Sequence, residues 1–139
     1  MIRAALLRVV HFHATHHYRR RDWSDEENAR VFGALTEPHG HAFRVEVRVE
    51  GLPDPHTGFV VDLSELDRIL REEVVEPLDG AHLNDRVPDF REGGLQPCTE
   101  ALARWLGERI GRRLPAEVHL ERIQVWESDD LGAEVRFTP

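Results

Sequence analysis

Three histidines carry the chemistry that this sequence suggests first. They are His16, and the pair His39 and His41 on either side of Gly40. Neutral imidazole is a common zinc ligand, and three protein ligands with one open position are typical of a catalytic zinc site. Side chains two residues apart on a strand point to one face, so an H-x-H pair aims both rings the same way. The three histidines therefore predict a catalytic Zn²⁺ centre.

Strands must position these histidines. Residues 2–14 are rich in Val, Leu and Ile and predict a first strand. Residues 42–50 alternate between apolar and charged side chains, which is typical of a half-buried antiparallel strand. His39 and His41 share the parity of the apolar positions in this second strand. We therefore expect both imidazoles to point inward with the core.

Two amphipathic helices follow. Ser64 is expected to cap a helix over residues 65–77, and a second helix is expected over residues 99–113. Loops or turns are expected at 18–33, where Ser24 caps a turn, at 54–58, at 78–85, and at Gly93 and Gly94. A short strand is expected at 59–62, and two further strands are expected at 117–126 and 132–138. Apart from the short strand at 59–62, the order is ββααββ, which predicts an α+β fold with both helices on one face of an antiparallel sheet.

Composition narrows the class of protein. A chain of 139 residues favours one domain, over residues 1–139, and the net charge of −8 argues against a nucleic-acid partner. Cys98 is the only cysteine, so no intrachain disulfide can form and a cytoplasmic setting is expected. The apolar stretch at residues 4–7 is far too short for a membrane span, so no membrane partner is expected. The basic run at residues 19–21 is either a solvated loop or a clamp for a phosphorylated substrate.

Six motifs resemble one known family, that of 6-pyruvoyl- and 6-carboxy-tetrahydropterin synthases, which has the tunnelling or T-fold architecture. The resemblance covers nearly the whole chain. The matching segments, in chain order, are FHATH (12–16), HGH (39–41), DPHTGFVVDL (54–63), LDGAHLN (78–84), CTE (98–100) and VWES (125–128).

The resemblance implies roles for particular residues. It makes His16, His39 and His41 the zinc ligands. It makes Glu127 the anchor of a pterin, through the 2-amino group and N3 of the ring, with Thr99 and Glu100 along the same pocket. It also implies a homohexamer of two stacked trimers, in which the sheets close into a β-barrel and the active site lies between subunits.

The chain departs from the family where protons are transferred. The family's catalytic cysteine aligns with Leu35, which cannot carry a proton, and its Asp-His pair aligns with Asp79 and Gly80. The candidate catalytic groups are therefore Asp79, His82 two residues after Gly80, and Glu37 just before the HGH motif.

Three functions stay open at this stage. The first is a zinc-dependent lyase that acts on the side chain of 7,8-dihydroneopterin triphosphate. The second is an aldolase-like variant that forms 6-hydroxymethyl-dihydropterin with Glu37 as base, since one branch of the family lacks the cysteine and has a glutamate near HGH. The third is a catalytically silent protein that binds pterins or purines. Queuosine, folate and biopterin synthesis all remain possible pathways.

Overall fold

The chain is built on a five-stranded sheet. The structure, a computed structural model, describes residues 1–91 and 94–139. Its strands are β1 (Ala4–His16), β2 (His39–Gly51), β3 (Ala81–His82), β4 (His119–Trp126) and β5 (Gly132–Arg136). Their spatial order is β3-β1-β2-β4-β5, and every neighbouring pair is antiparallel except β1 with β3. The predicted α+β fold is confirmed, and the short parallel strand β3 is an addition to it.

The long pair β1 and β2 positions the histidines. Thirteen residues of each strand pair without a break, from Ala4 opposite Gly51 to His16 opposite His39. Strand β1 therefore ends two residues beyond its predicted end, because its last residue finds a partner in the HGH motif. This register brings His16 next to the other two histidines.

The two faces of the sheet differ as the alternation predicts. The apolar positions of β2 are fully buried; they are Phe43, Val45, Val47 and Val49. Neighbouring residues on the other face are charged and form ion pairs across strands, such as Arg122 with Glu46 at 3.1 Å. Removing the apolar side chains from water stabilises the packing of helices on one face only.

Two helical segments cover the apolar face. The first runs from α2 (Leu63–Leu70) through a π-helical turn (Arg71–Val75) into α3 (Glu76–Leu78), and the second is α6 (Thr99–Arg113). Leu66 of the first and Leu106 of the second belong to the same buried core as the sheet. Both predicted helices are thus confirmed on one face. The shorter helices are α1 (Asp25–Phe32), a 3₁₀ turn (Gly33–Thr36), α4 (Leu83–Arg86) and α5 (Pro88–Arg91).

The cap predicted at Ser24 is confirmed, but two other predictions are wrong. Ser24 Oγ accepts a hydrogen bond from the Glu27 N–H at the start of α1. Residues 59–62 form no strand, because the Phe59 carbonyl accepts from the Asp54 N–H at 2.9 Å and closes the preceding turn, and Asp62 already caps the next helix. Asp62, rather than Ser64, then caps α2, accepting from the Ser64 N–H at 2.9 Å.

Two further segments differ from expectation. The predicted loop at residues 78–85 contains β3 and the start of α4, since Ala81 and His82 pair with β1. Of the loop predicted at Gly93 and Gly94, the first residue lies outside the described residues. Within the described ranges, no helix is both long enough and apolar enough to cross a membrane.

Candidate metal centre

The three histidines meet where β1 ends and β2 begins. His16 lies opposite His39 in the strand register, and His41 lies opposite Ala14. The centroid of the His16 ring lies 4.5 Å from that of the His39 ring and 5.0 Å from that of the His41 ring. One ligand nitrogen from each ring lies within 4.8 Å of the other two. This group could hold a single metal ion.

Backbone carbonyls orient two of the rings. His16 Nδ1 donates to the carbonyl oxygen of Pro97 at 2.8 Å, and His39 Nδ1 donates to that of Glu37 at 2.9 Å. A carbonyl oxygen only accepts, so the proton of each neutral ring must reside on Nδ1. The Nε2 atoms of His16 and His39 therefore carry lone pairs, which is the tautomer that a metal ligand needs.

Burial keeps His16 in its neutral form. The ring is 0% exposed. The pKa of His16 is lowered to about 4, chiefly by desolvation; the hydrogen bond to Pro97 opposes this shift, and the nearby His39 and His41 add to it. At neutral pH the His16 ring is therefore uncharged, and it can bind a metal ion without first losing a proton.

A carboxylate completes the cluster. Glu127 follows the end of β4, and its Oε2 lies 3.6 Å from the Nε2 atoms of both His16 and His41. All three atoms are buried and lack a hydrogen-bond partner. Buried polar atoms are normally paired. Their convergence fits the binding of a cation, and three imidazoles with a carboxylate are a donor set suited to zinc.

The site opens into a cleft of about 730 Å³. His41, Trp126 and Glu127 are among the residues that line it. This volume lies within the range of pockets that bind small molecules.

Comparison with known proteins decides the family. The family model described as 6-pyruvoyl tetrahydropterin synthase matches residues 5–137. The chain belongs to this family. Its members process pterins, and this chain is a pterin-processing enzyme.

Individual relatives cover nearly the whole chain. A 6-pyruvoyl tetrahydrobiopterin synthase of Poecilia reticulata is 37% identical over 126 residues, which span 89% of this chain and 84% of that protein. A dihydroneopterin monophosphate aldolase of Pyrococcus furiosus is 32% identical over 136 residues, which span 98% and 100%. The solved structure of the Caenorhabditis elegans 6-pyruvoyl tetrahydropterin synthase superimposes with a TM-score of 0.89 at 24% identity, covering 99% of this chain and 98% of that one. The predicted T-fold is confirmed.

Tyr18 packs against the metal centre, and the sequence analysis missed it. Its ring packs edge-on against His16, with centroids 5.1 Å apart, and its N–H donates to the carbonyl of Leu35. Burial raises the pKa of Tyr18, and the nearby Glu127 raises it further, so the hydroxyl stays protonated. The available signal was parity, since Tyr18 lies two residues beyond His16 and extends the inward-facing positions of β1.

Thr99 and Glu100 begin α6 beside the centre. Thr99 is buried, and its Oγ1 donates to Glu100 Oε1 at 2.9 Å. Pro97, two residues earlier, supplies the carbonyl that orients His16. The segment that leads into this helix is therefore hydrogen-bonded to one of the three histidines.

Asp79 and His82 lie along β1 rather than among the three histidines. Asp79 Oδ1 accepts from the His13 N–H at 2.9 Å. His82 hydrogen-bonds with Thr15 Oγ1 through Nδ1 and with His17 Nδ1 through Nε2, at 2.8 and 2.9 Å. Thr15 and His16 are adjacent on a strand, so their side chains lie on opposite faces.

Glu37 and Leu35 are both exposed, just before the HGH motif. Glu37 contacts the centre through its backbone carbonyl oxygen, which accepts from His39 Nδ1. In the basic run, the Arg19 side chain pairs with Asp25 at the start of α1, and Arg20 pairs with Asp22 through both carboxylate oxygens.

Proposed function

We propose that the chain is a zinc-dependent pterin lyase that acts on the side chain of 7,8-dihydroneopterin triphosphate. One observation supports this proposal above the others. The buried Nε2 atoms of His16 and His41 and the Glu127 carboxylate converge, without hydrogen-bond partners, beside a cleft on the family's fold. His16, His39 and His41 would hold the ion. When bound, zinc would act as a Lewis acid on the side-chain oxygens and so acidify the neighbouring C–H bond.

The remaining pocket residues would bind and orient the pterin ring. The Glu127 carboxylate can accept two hydrogen bonds from the 2-amino group and N3, in the bidentate manner that suits a guanidine-like edge. The Tyr18 hydroxyl, which stays protonated, can donate to an acceptor on the ring. Thr99 and Glu100 would line the pocket from the start of α6.

The base must be a group other than Leu35. We assign proton transfer to Asp79 and His82, whose hydrogen bonds to β1 hold them at a fixed place on the sheet. The second ring nitrogen of His82, Nε2, hydrogen-bonds with His17 Nδ1. When His82 gains a proton at Nδ1, it can therefore pass the proton at Nε2 to His17. Because these side chains lie along β1 and not among the histidines of their own chain, the site would be completed by a second copy.

Assembly is part of this proposal. We propose a homohexamer of two stacked trimers in a cytoplasmic setting. In the described chain β5 is the last strand at one edge, and the N-terminal part of β1 pairs on one side only. Unpaired strand edges favour closure with further copies. Light scattering of the purified protein would test this assembly, and a monomer would contradict it.

A second candidate is the aldolase. It is favoured by the Pyrococcus furiosus relative, named as a dihydroneopterin monophosphate aldolase, which matches this chain over its full length. Glu37, two residues before His39, would take the proton of a side-chain hydroxyl as the adjacent C–C bond breaks. The outer fragment would leave as an aldehyde, and protonation of the carbon that stays on the ring would give the 6-hydroxymethyl product. The third candidate, a silent pterin-binding protein, predicts binding without either product.

A product assay tests all three candidates. Zinc-loaded protein is incubated with 7,8-dihydroneopterin triphosphate and, separately, with the monophosphate, and products are identified by mass spectrometry. A 6-pyruvoyl or 6-carboxy product that is lost in His39→Ala supports the lyase. A 6-hydroxymethyl product that is lost in Glu37→Gln, with zinc content unchanged, supports the aldolase. Binding without turnover of either substrate contradicts both enzymes.

A further inference from the structure

A row of three side chains crosses the polar face of the sheet beside the metal centre. His11 of β1 lies directly opposite Arg44 of β2, and Arg44 lies directly opposite Trp126 of β4. Directly opposed residues of antiparallel strands project from the same face of a sheet. The row therefore presents an imidazole, a guanidinium and an indole side by side.

The row belongs to the cleft into which the metal centre opens. Its three residues line that cleft of about 730 Å³ together with His41. On the polar face of β2, the positions before Arg44 are Gly40 and Ala42, which also line the cleft. These two small residues form an open floor that leads from the metal centre to the row.

The indole of Trp126 is a fixed wall of this cleft. Its N–H donates to Gln124 Oε1 at 3.2 Å. The ring lies so close to Gly132 that a Cβ at position 132 would overlap it. A rigid aromatic wall displaces water beside the neighbouring guanidinium of Arg44, and this strengthens the attraction of that cation for an anion.

Arg44 can leave its present partner at little cost. Its Nη2 pairs with Glu46 Oε1 at 3.2 Å, and the Arg44 side chain is 42% exposed. Exposed ion pairs contribute little stability. The other oxygen of Glu46 pairs with Arg122 Nη1 at 3.1 Å, so the Glu46 carboxylate keeps a cation when Arg44 turns away. Arg44 is thus available to a negatively charged ligand.

The acidic residues of the cleft lie away from this row. Glu127 faces His16 and His41, and Asp129 belongs to the segment that joins β4 to β5. Their charges repel an anion near the strand ends and favour its position over the row. An arginine guanidinium binds phosphate oxygens through two N–H groups at once, and an imidazole adds one more donor.

We infer that His11 and Arg44 bind the outer phosphates of a triphosphate substrate, with Trp126 as the wall of this subsite. Arg44 lies three residues after His41, which is about 10 Å along a strand at about 3.4 Å per residue. From a substrate side chain held at the three histidines, a single phosphate stops short of the row, whereas three linked phosphates reach it. The inference rests on the proposed function. It makes the triphosphate, rather than the monophosphate, the substrate that this chain recognises.

Binding of inorganic tripolyphosphate to the metal-free protein is the first test, because it requires neither zinc nor turnover. Full-length wild type, Arg44→Gln and His11→Gln are compared by isothermal titration calorimetry. Arg48→Gln is the matched control for the arginine, since Arg48 lies on the same strand and face but pairs with Glu121, farther from the metal centre. His13→Gln is the control for the histidine, since His13 lines a different cleft.

The expected result is a selective loss. Removing a charge-assisted hydrogen bond should weaken tripolyphosphate binding by about tenfold in Arg44→Gln. The loss in His11→Gln should be smaller, and both controls should bind as the wild type does. An absence of binding to the wild type, or an equal loss in Arg44→Gln and Arg48→Gln, would overturn the inference.

The number of phosphates is the second test. Neopterin triphosphate and neopterin monophosphate, which are oxidised analogues, are compared by equilibrium dialysis with the zinc-loaded proteins. Arg44→Gln should lose about tenfold in affinity for the triphosphate and none for the monophosphate. Equal losses for the two analogues would overturn the assignment of the outer phosphates. A wild type that binds tripolyphosphate but does not prefer the neopterin triphosphate would have a site for free polyphosphate, which also contradicts the assignment.

These readouts separate the inference from the proposed function. An absence of product from either substrate would overturn the proposed function, while Arg44-dependent binding of tripolyphosphate by the metal-free protein would still stand. Product formed from the triphosphate with the same KM in wild type and Arg44→Gln would overturn the inference and leave the proposed function intact.

Discussion

The Nδ1 atom of His16 donates a 2.8 Å hydrogen bond to the carbonyl oxygen of Pro97, although 81 residues separate the two in sequence. This bond joins the end of β1 to the segment that leads into α6. It fixes the His16 tautomer, and it satisfies a buried backbone acceptor that has few other routes to a donor. His16 is thus a structural residue as well as a candidate ligand.

His16 and His39 are both candidate zinc ligands, but in the metal-free protein we expect the loss of His16 to cost more stability than the loss of His39. His16→Ala empties a buried position and leaves the Pro97 carbonyl without its donor, so we expect a loss of about 2–4 kcal/mol in the free energy of unfolding. His39→Ala changes a partly exposed ring and should cost less than about 1 kcal/mol. Both variants should lose zinc binding. Urea unfolding in the presence of a chelator measures the difference, and equal losses would contradict this role of His16.

Phe43 forms the floor of the centre. Its ring stacks on Phe12 at 4.9 Å and packs edge-on beneath His16 and His41, at 5.8 and 5.6 Å between centroids. Phe43→Leu should cost about 1.5 kcal/mol and also weaken zinc binding, because the imidazoles lose the surface that holds them. Val47→Ala, on the same face of β2, should cost about 2 kcal/mol with zinc affinity unchanged. Zinc titration of both variants checks this, and a similar effect on affinity would show that general destabilisation is the cause.

Gly132 leaves room for Trp126, which lines the cleft next to Glu127. A Cβ at position 132 would overlap the indole ring of Trp126. Gly132→Ala should therefore displace that ring, lower the free energy of unfolding by about 1–3 kcal/mol, and weaken pterin binding. Gly111→Ala is the control, since its Cβ would meet only the end of the Leu120 side chain, at an ordinary contact distance of 4.0 Å, and should stabilise α6 by up to about 1 kcal/mol. Thermal unfolding and equilibrium dialysis provide the readouts. Unchanged pterin binding in Gly132→Ala would separate Trp126 from the pocket.

Asp62 should make stability depend on pH. Hydrogen bonds from the Ser64 hydroxyl, and then from the Ser64 and Glu65 N–H groups, lower the pKa of Asp62 in the folded protein. Since the folded value lies below the unfolded one, the contribution of this cap is complete above the unfolded pKa and is lost as pH falls through the folded pKa. Asp62→Asn keeps a neutral cap. It should unfold at a lower urea concentration than wild type at pH 7, and the difference should shrink at acid pH. A difference that is independent of pH would contradict this role.

Periodic patterns predicted most of the fold. The alternation over residues 42–50 identified the buried side of β2, and helical spacing identified α6 within the predicted bounds of 99–113. The strand over residues 59–62 failed because three apolar residues in a row resemble a strand, whereas the side chains of Asp54 and Asp62 bind backbone N–H groups and direct the segment into a turn and a helix. Such side-chain bonds compete with strand pairing locally.

The sequence by itself determined the fold class and identified the three histidines as candidate metal ligands, because strand parity and the HGH spacing are local properties. Only the tertiary structure decided which atoms meet these rings. Pro97 and the Glu127 carboxylate come from separate elements, and their distances to His16 depend on the packing of α6 against the sheet and on the register of β4 with β2. Those distances follow from burial of the whole core, which no short segment of sequence encodes.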